Sequence, residues 1–185
     1  MAVLVTRPDE RGQQLVDMLA KVGVVAIHLP LFNIEVGAEL NEFPNRFAQL
    51  KAGDYVFAVS KSAVDFADKA LKNTGFAWRD DLQYFTVGQS TAQHFAATTT
   101  LAVHYPTTQE NSEGLLQLAA MQNLQGKTVL ILRGNGGREL FSEQAQKRGA
   151  NVDIVECYRR EPIVYNSAEQ TSLCKRAGIQ TIVVT

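Results

Sequence analysis

Cysteine is scarce in this 185-residue sequence: only Cys157 and Cys174 occur, too few for a disulfide scaffold and without the Cys/His spacing of a zinc site. Long apolar runs are also missing. The longest stretches, Val22 to Ile27 and Ile182 to Val184, fall far short of the ~18 residues that cross a bilayer, so no membrane association is expected. Met1 to Arg7 is too short an apolar run for a signal peptide and leads straight into Asp9 and Glu10, so a cytoplasmic location is predicted. Neither sign of charge dominates. Eighteen Lys plus Arg stand against 19 Asp plus Glu, a net charge of -1, which leaves no electrostatic footprint for nucleic acid. The three histidines, His28, His94 and His104, lie in unrelated elements with no i, i+4 or H-x-H spacing, so no metal site is predicted. There is no G-x-S-x-G elbow, and Cys157 falls within an apolar strand pattern, which predicts a buried, inert thiol.

What the sequence does contain is α/β grammar: short β-branched runs alternate with helical patterns, and turn residues separate them. Ala2 to Thr6 reads as a buried strand and Asp9 to Val22 as a helix, with Leu15, Met18, Leu19 and Val22 on one face and Gly23 as its stop. Val24 to Leu29 completes a β-α-β unit. Further strands are predicted at Tyr55 to Val59, Tyr84 to Val87, Leu101 to Tyr105, Thr128 to Leu132, Val152 to Tyr158 and Thr181 to Val184. Helices are predicted at Asn41 to Lys51, Lys61 to Asn73, Ser90 to Ala97, Ser112 to Met121, Arg138 to Arg148 and Ala168 to Arg176. Continuously apolar strands favour parallel sheets covered on both faces. Leu31 to Val36 and Cys157 to Tyr165 are extended without helices of their own and read as crossings between two domains. Residues 38–162 are thus expected to form a complete inserted α/β domain. Residues 1–34 with 166–185 are expected to form a discontinuous one, truncated because the chain stops in an apolar strand.

Polar and glycine residues fall immediately after the strands, where α/β proteins place ligands. Thr6-Arg7-Pro8, Ser60-Lys61-Ser62, Gly88-Gln89-Ser90-Thr91 and Arg133-Gly134-Asn135-Gly136-Gly137-Arg138 each open a helix. Several helix N-termini facing one cleft make an anion receptor that needs little net positive charge. The alternative is that Ser60, Ser62, Ser90 and Ser112 serve only as N-caps. Arg133 and Arg138 flank the glycine loop and could each grip a carboxylate, or each form a surface salt bridge. Glu139 stands where the third glycine of a G-x-G-x-x-G fingerprint would be, which argues against a dinucleotide. Tyr158 ends a strand where a crossing begins, so its phenol could donate a proton into a cleft between the domains, or could merely sit at an edge.

Taken in order, the motifs Val5-Thr6-Arg7-Pro8, Ser60-x-x-Ala63-Val64, Val87-Gly88-x-x-Thr91-Ala92, Ser112-Glu113-Gly114-Leu115-Leu116, Leu132 to Leu140, Arg148-Gly149-Ala150 and Val155-x-x-Tyr158-x-Arg160 resemble uroporphyrinogen-III synthase of the bacterial type. The resemblance covers nearly the whole chain. It implies two α/β domains joined by a two-stranded connector, and closure of linear hydroxymethylbilane to uroporphyrinogen III with inversion of ring D and loss of water. It implies no metal or organic cofactor and a monomer. Substrate binding is expected at Thr6, Arg7, Ser60, Thr91, Ser112, Arg133, Gly134 and Arg138, with Tyr158 as the acid. A ligand between the domains would bring carboxylate arms from every pyrrole ring, to be met by helix N-termini and a few Arg, Ser and Thr residues. The competing class is a non-catalytic regulatory module that binds a tetrapyrrole or another polyanion.

Overall fold

The computed structural model describes residues 1–185. The chain divides into two compact units, residues 1–35 with 160–185 and residues 36–159. In the smaller unit, β1 (Ala2–Val5) is central in a three-stranded parallel sheet, between β2 (Val25–His28) and β9 (Ile179–Val183). Its four residues are all buried, as expected of a strand with neighbours on both sides. Helix α1 (Asp9–Lys21) begins with Asp9 and Glu10, which suit the positive end of the helix dipole. Gly12 lets α1 come close to the sheet: a Cβ there would lie 2.2 Å from His28 Nε2 and 2.3 Å from the Arg7 carbonyl. His28 Nε2 in turn contacts that carbonyl at 2.7 Å. Helix α7 (Ser167–Ala177) is capped by Asn166, whose side chain accepts from Glu169 N–H, and ends at Gly178 in the left-handed region.

The larger unit is built on parallel strands β4 (Tyr55–Ala58), β5 (Gln83–Phe85), β6 (Val103–His104), β7 (Thr128–Gly134) and β8 (Asn151–Pro162). In the sheet these strands run in the order β8-β7-β4-β5-β6, while β3 (Phe32–Val36) falls almost wholly within the residues of the smaller unit. From β4 the chain winds outward through β5 to β6, then returns to place β7 on the other side of β4 and continues to β8. The reversal makes the C-terminal ends of β4 and β7 a topological switch point, where open α/β sheets bind ligands.

Alternation along the strands divides the core into two layers. Tyr55 and Phe57 of β4, Phe85 of β5, and Val129 and Ile131 of β7 face one layer with Leu115, Leu116, Met121, Leu124, Phe141 and Ala145. On the other face Tyr84 meets Phe95 edge-on at 5.4 Å between ring centroids and Trp78 at 5.8 Å, and Trp78 also reaches Phe47 and Phe43. Helices α3 (Lys61–Thr74) and α4 (Gln89–Thr99) bring Ala63, Val64, Ala67, Leu71, Ala92 and Phe95 into this interior. Burial of these residues is the main favourable contribution to the unit's stability, at ~25 cal/mol per Å² of apolar surface removed from water.

Several elements differ from the sequence reading. The helix expected over Asn41 to Lys51 is a 3-10 turn at Leu40–Glu42 followed by α2 (Phe43–Ala48), with Pro44 in its first turn. The helix expected over Ser112 to Met121 breaks at Leu118 (φ -60°, ψ 145°) into α5 (Ser112–Gln117) and a 3-10 turn at Ala119–Met121. The strand read at Val152 to Tyr158 and the crossing read from Cys157 form one twelve-residue strand, β8, because no turn residue interrupts them. The helix after β7 starts only at Leu140, as α6 (Leu140–Lys147), and leaves residues 135–139 as an open loop.

Candidate active site

At the end of β4 the backbone turns through Ser60 (φ -159°, ψ 166°), the N-cap of α3, whose Oγ accepts from Ala63 N–H at 3.2 Å. The same oxygen lies 3.0 Å from the Tyr158 hydroxyl. Tyr158 belongs to β8, two strands away from β4, a separation of about 9.5 Å at ordinary strand spacing. It bridges that distance by laying its ring over β7 at the one position without a side chain. A Cβ on Gly134 would sit 2.7 Å from Tyr158 Cε2 and 2.8 Å from Cζ. Gly134 is therefore buried beneath the tyrosine, which is itself only 3% exposed and stacked on Phe66 at 6.1 Å. A register shift between Arg133 and Gly134 opposite β8 accompanies this crossing.

At the switch point, on the face of the sheet that carries Phe57 and Ile131, lies a pocket of about 180 Å³. Phe57, Val59, Val87, Ile131 and Phe141 supply its apolar wall, and Ser112, Arg133, Arg138 and Ser142 its polar groups. Arg133 pairs with Glu139 at 3.0 Å. Arg138 holds both carboxylate oxygens of Glu113, one at 3.0 Å. The Arg138 guanidinium keeps the Glu113 carboxyl below its usual range. Arg133, assisted by Ser142, does the same for Glu139. A third internal carboxylate, Glu110, accepts from Gln89 N–H at 2.8 Å at the start of α4.

The predicted site residues thus fall into separate groups. Ser112, Arg133 and Arg138 share the pocket, Ser60 and Tyr158 form a hydrogen-bonded pair over Gly134, and Thr91 stands in the first turn of α4. Thr6 and Arg7 belong to the smaller unit. The Thr6 hydroxyl donates to the Val183 carbonyl at 2.9 Å, and Arg7 offers its carbonyl to His28. Of the serines weighed as caps, Ser60 alone caps with its side chain. Asn111 caps α5 by accepting from Gly114 N–H, Gly88 begins α4, and Ser62 and Ser90 are second helical residues. Salt bridging by both arginines is realised, but at the pocket rim. Glu113, Glu110 and Ser142 were not anticipated, because only the fold brings them to this edge. Burial pushes the Cys157 thiol up to about 12, in keeping with an inert core residue. No group of three or more potential metal-ligating side chains is present, and no helix is long and apolar enough to cross a membrane.

Comparison with known proteins bears on this geometry directly. Residues 13–185 match the family model described as uroporphyrinogen-III synthase HemD. A uroporphyrinogen-III synthase from Proteus mirabilis is 43% identical over 180 residues, covering 97% of this chain and 90% of that relative. One from Escherichia coli is 40% identical over 185 residues, covering 100% of this chain and 75% of that relative. Among solved structures, a mutant uroporphyrinogen III synthase from Thermus thermophilus superimposes with a TM-score of 0.69 at 17% identity, covering 98% of this chain and 71% of that one. The enzyme from Helicobacter pylori gives 0.52 at 14% identity, covering 93% and 67%. Likeness at such identities establishes the α/β fold alone. The family match and the curated relatives establish more: the chain belongs to the uroporphyrinogen-III synthase family, the cyclising enzymes of tetrapyrrole biosynthesis.

Proposed function

We propose that the larger unit holds carboxylate arms of hydroxymethylbilane at the switch point and that Tyr158 assists loss of the terminal hydroxyl, so that the chain closes uroporphyrinogen III with ring D inverted. The observation that carries this reading is the pocket itself, in which two arginines and two serines border a wall of five apolar side chains. Its volume of about 180 Å³ is below the ~300–1,000 Å³ typical of a whole small ligand. It suits one substituted pyrrole edge with its arms, the apolar wall against the ring and the guanidinium groups toward the acid.

Phenols hold their proton at neutral pH. Acting as the acid, the phenol would pass its proton to the departing hydroxyl, which leaves as water as the pyrrole nitrogen lone pair completes an azafulvene. Negative charge developing on the phenol oxygen meets the Ser60 hydroxyl, which is polarised by Ala63 N–H at the start of α3. The remaining barrier is one of folding the flexible substrate so that the substituted carbon of ring D attacks, catalysis by orientation worth up to ~7–11 kcal/mol. Ser112, Thr91 and the backbone after Gly134 would fix that orientation at the larger unit. Thr6 and Arg7 of the smaller unit are also proposed as substrate-binding residues.

Two variants test the assignment. Arg133→Ala with Arg138→Ala is expected to weaken binding of a uroporphyrin, measured by fluorescence titration, by about 1–3 kcal/mol per charged hydrogen bond lost. Tyr158→Phe keeps the ring on Gly134 and Phe66 and deletes only the hydroxyl. Slowed turnover with preserved affinity, at or below the lower end of ~10²–10⁴-fold because the leaving group departs readily from an electron-rich pyrrole, is the expected result. Unchanged turnover would make Tyr158 a packing residue only.

A further inference from the structure

The two arginines of the pocket are already occupied by carboxylates of the chain, and the two occupations differ. Arg133 has 20% of its side chain exposed, and its partner Glu139 is held a second time by the Ser142 hydroxyl, which donates to Glu139 Oε2 at 3.2 Å and to the Glu139 carbonyl at 2.8 Å. The Glu139 side chain is itself 52% exposed, but its carboxylate is tied to the buried Ser142 hydroxyl as well as to Arg133. Arg138 has 59% of its side chain exposed and Glu113 40%, and no second side chain restrains Glu113. Glu113 presents Arg138 with the same two-oxygen face that a carboxylic ligand would present. Exposed ion pairs of this kind are weak, because water competes for both partners and two side chains must be ordered to form them. A half-buried arginine deprived of its only anion is costly by comparison.

We infer that Glu113 is a displaceable internal counter-ion, holding Arg138 in place until a ligand carboxylate replaces it, whereas Glu139 stays on Arg133 and orients it. The inference rests on the placement of carboxylate arms in this pocket proposed above, and adds to it a specificity device. Only a ligand whose acid group binds Arg138 better than Glu113 does gains from entering, so polycarboxylates are favoured and neutral pyrroles gain nothing. Glu113 is a positioning residue in this account, because it acts through Arg138 and not on the reacting atoms.

The test uses the full chain and uroporphyrin III, titrated by fluorescence quenching, with Glu113→Gln, Glu139→Gln, Glu143→Gln and Arg138→Ala compared. Glu113→Gln is expected to tighten binding about two- to fivefold, the range set by what exposed pairs are worth. It should lower KM for hydroxymethylbilane while leaving kcat in place, because binding is gained equally in ground and transition states. Glu139→Gln is expected to weaken binding. Glu143→Gln, an exposed residue of α6 carrying the same charge change, is expected to leave affinity within the measurement error, which separates displacement from a general effect of net charge. In an Arg138→Ala background the gain from Glu113→Gln should vanish. Loss of affinity in Arg138→Ala with no gain in Glu113→Gln, or an equal gain in Glu143→Gln, would overturn the counter-ion role and leave the pocket assignment standing. Unchanged affinity in Arg138→Ala would overturn both.

Discussion

Replacing Gly134 with alanine probes the arrangement on which the Ser60–Tyr158 pair depends. The added methyl would lie 2.7, 2.8 and 3.2 Å from three carbons of the Tyr158 ring, where carbon atoms prefer ~3.5–4.0 Å. Relief requires the ring to lift by about 1 Å, which displaces the Tyr158 hydroxyl and strains its 3.0 Å contact to Ser60. Overpacking of this kind costs ~1–3 kcal/mol, and a lost hydrogen bond about 1 kcal/mol. A total near 3 kcal/mol lowers the melting temperature by roughly 6–12 °C at this size. Thermal unfolding followed by circular dichroism gives the stability, and formation of uroporphyrinogen III gives the activity. Both should fall, turnover at least as far as in Tyr158→Phe. Much of the penalty should disappear when Tyr158→Leu removes the ring plane, since neighbouring residues couple. A Gly134→Ala protein with unchanged melting temperature and turnover would refute the reasoning, because it would mean that Tyr158 does not cross β7 at this point.

Other expectations follow from the same geometry. Asn111→Ala removes the cap of α5 and should cost about 1 kcal/mol in urea denaturation, whereas Ser112→Ala, which caps nothing, should be nearly neutral in stability. Thiol titration of the native protein near pH 8 should label Cys174 and spare Cys157, whose thiol burial has pushed up to about 12; equal labelling of both would contradict a buried position. The carboxyls of Glu113 and Glu139 are held low by Arg138 and Arg133. Their contribution is therefore complete above the unfolded value near ~4.3 and is lost as pH falls through the lower folded values. The denaturation midpoint should decline more shallowly on acidification in Glu113→Gln than in the parent, and equal slopes would show that the pair does not form in solution.

Much of the larger unit was legible because its strands are apolar on both faces. Tyr55 to Ala58 and Thr128 to Leu132 stand out as uninterrupted β-branched and aromatic runs, the pattern of central parallel strands. The placing of Ser60, Arg133 and Arg138 at strand ends followed from the same grammar, since each stands at the end of a strand or in the loop that follows it. What was not legible was decided by tertiary contact. Nothing local marks Leu118 as the break between α5 and the following turn, and nothing between Val152 and Pro162 says where one long strand should be divided. The pairing of Glu113 with Arg138 spans 25 positions, from the first turn of α5 to the loop before α6, and no periodicity predicts it. Gly134 was read as part of an anion-binding loop, and its lack of a Cβ also serves the passage of Tyr158 across β7. That constraint is visible only once β8 is placed beside β7.

The most direct test of the account is the isomer composition of the product. The purified chain, incubated with hydroxymethylbilane and followed by oxidation and chromatographic separation of the porphyrins, is predicted to give uroporphyrin III in clear excess over the type I isomer that forms spontaneously. The excess should fall in Tyr158→Phe and in the Arg133→Ala, Arg138→Ala pair. Type I alone, at the rate seen in buffer, would contradict the claim that this strand-end site directs ring closure.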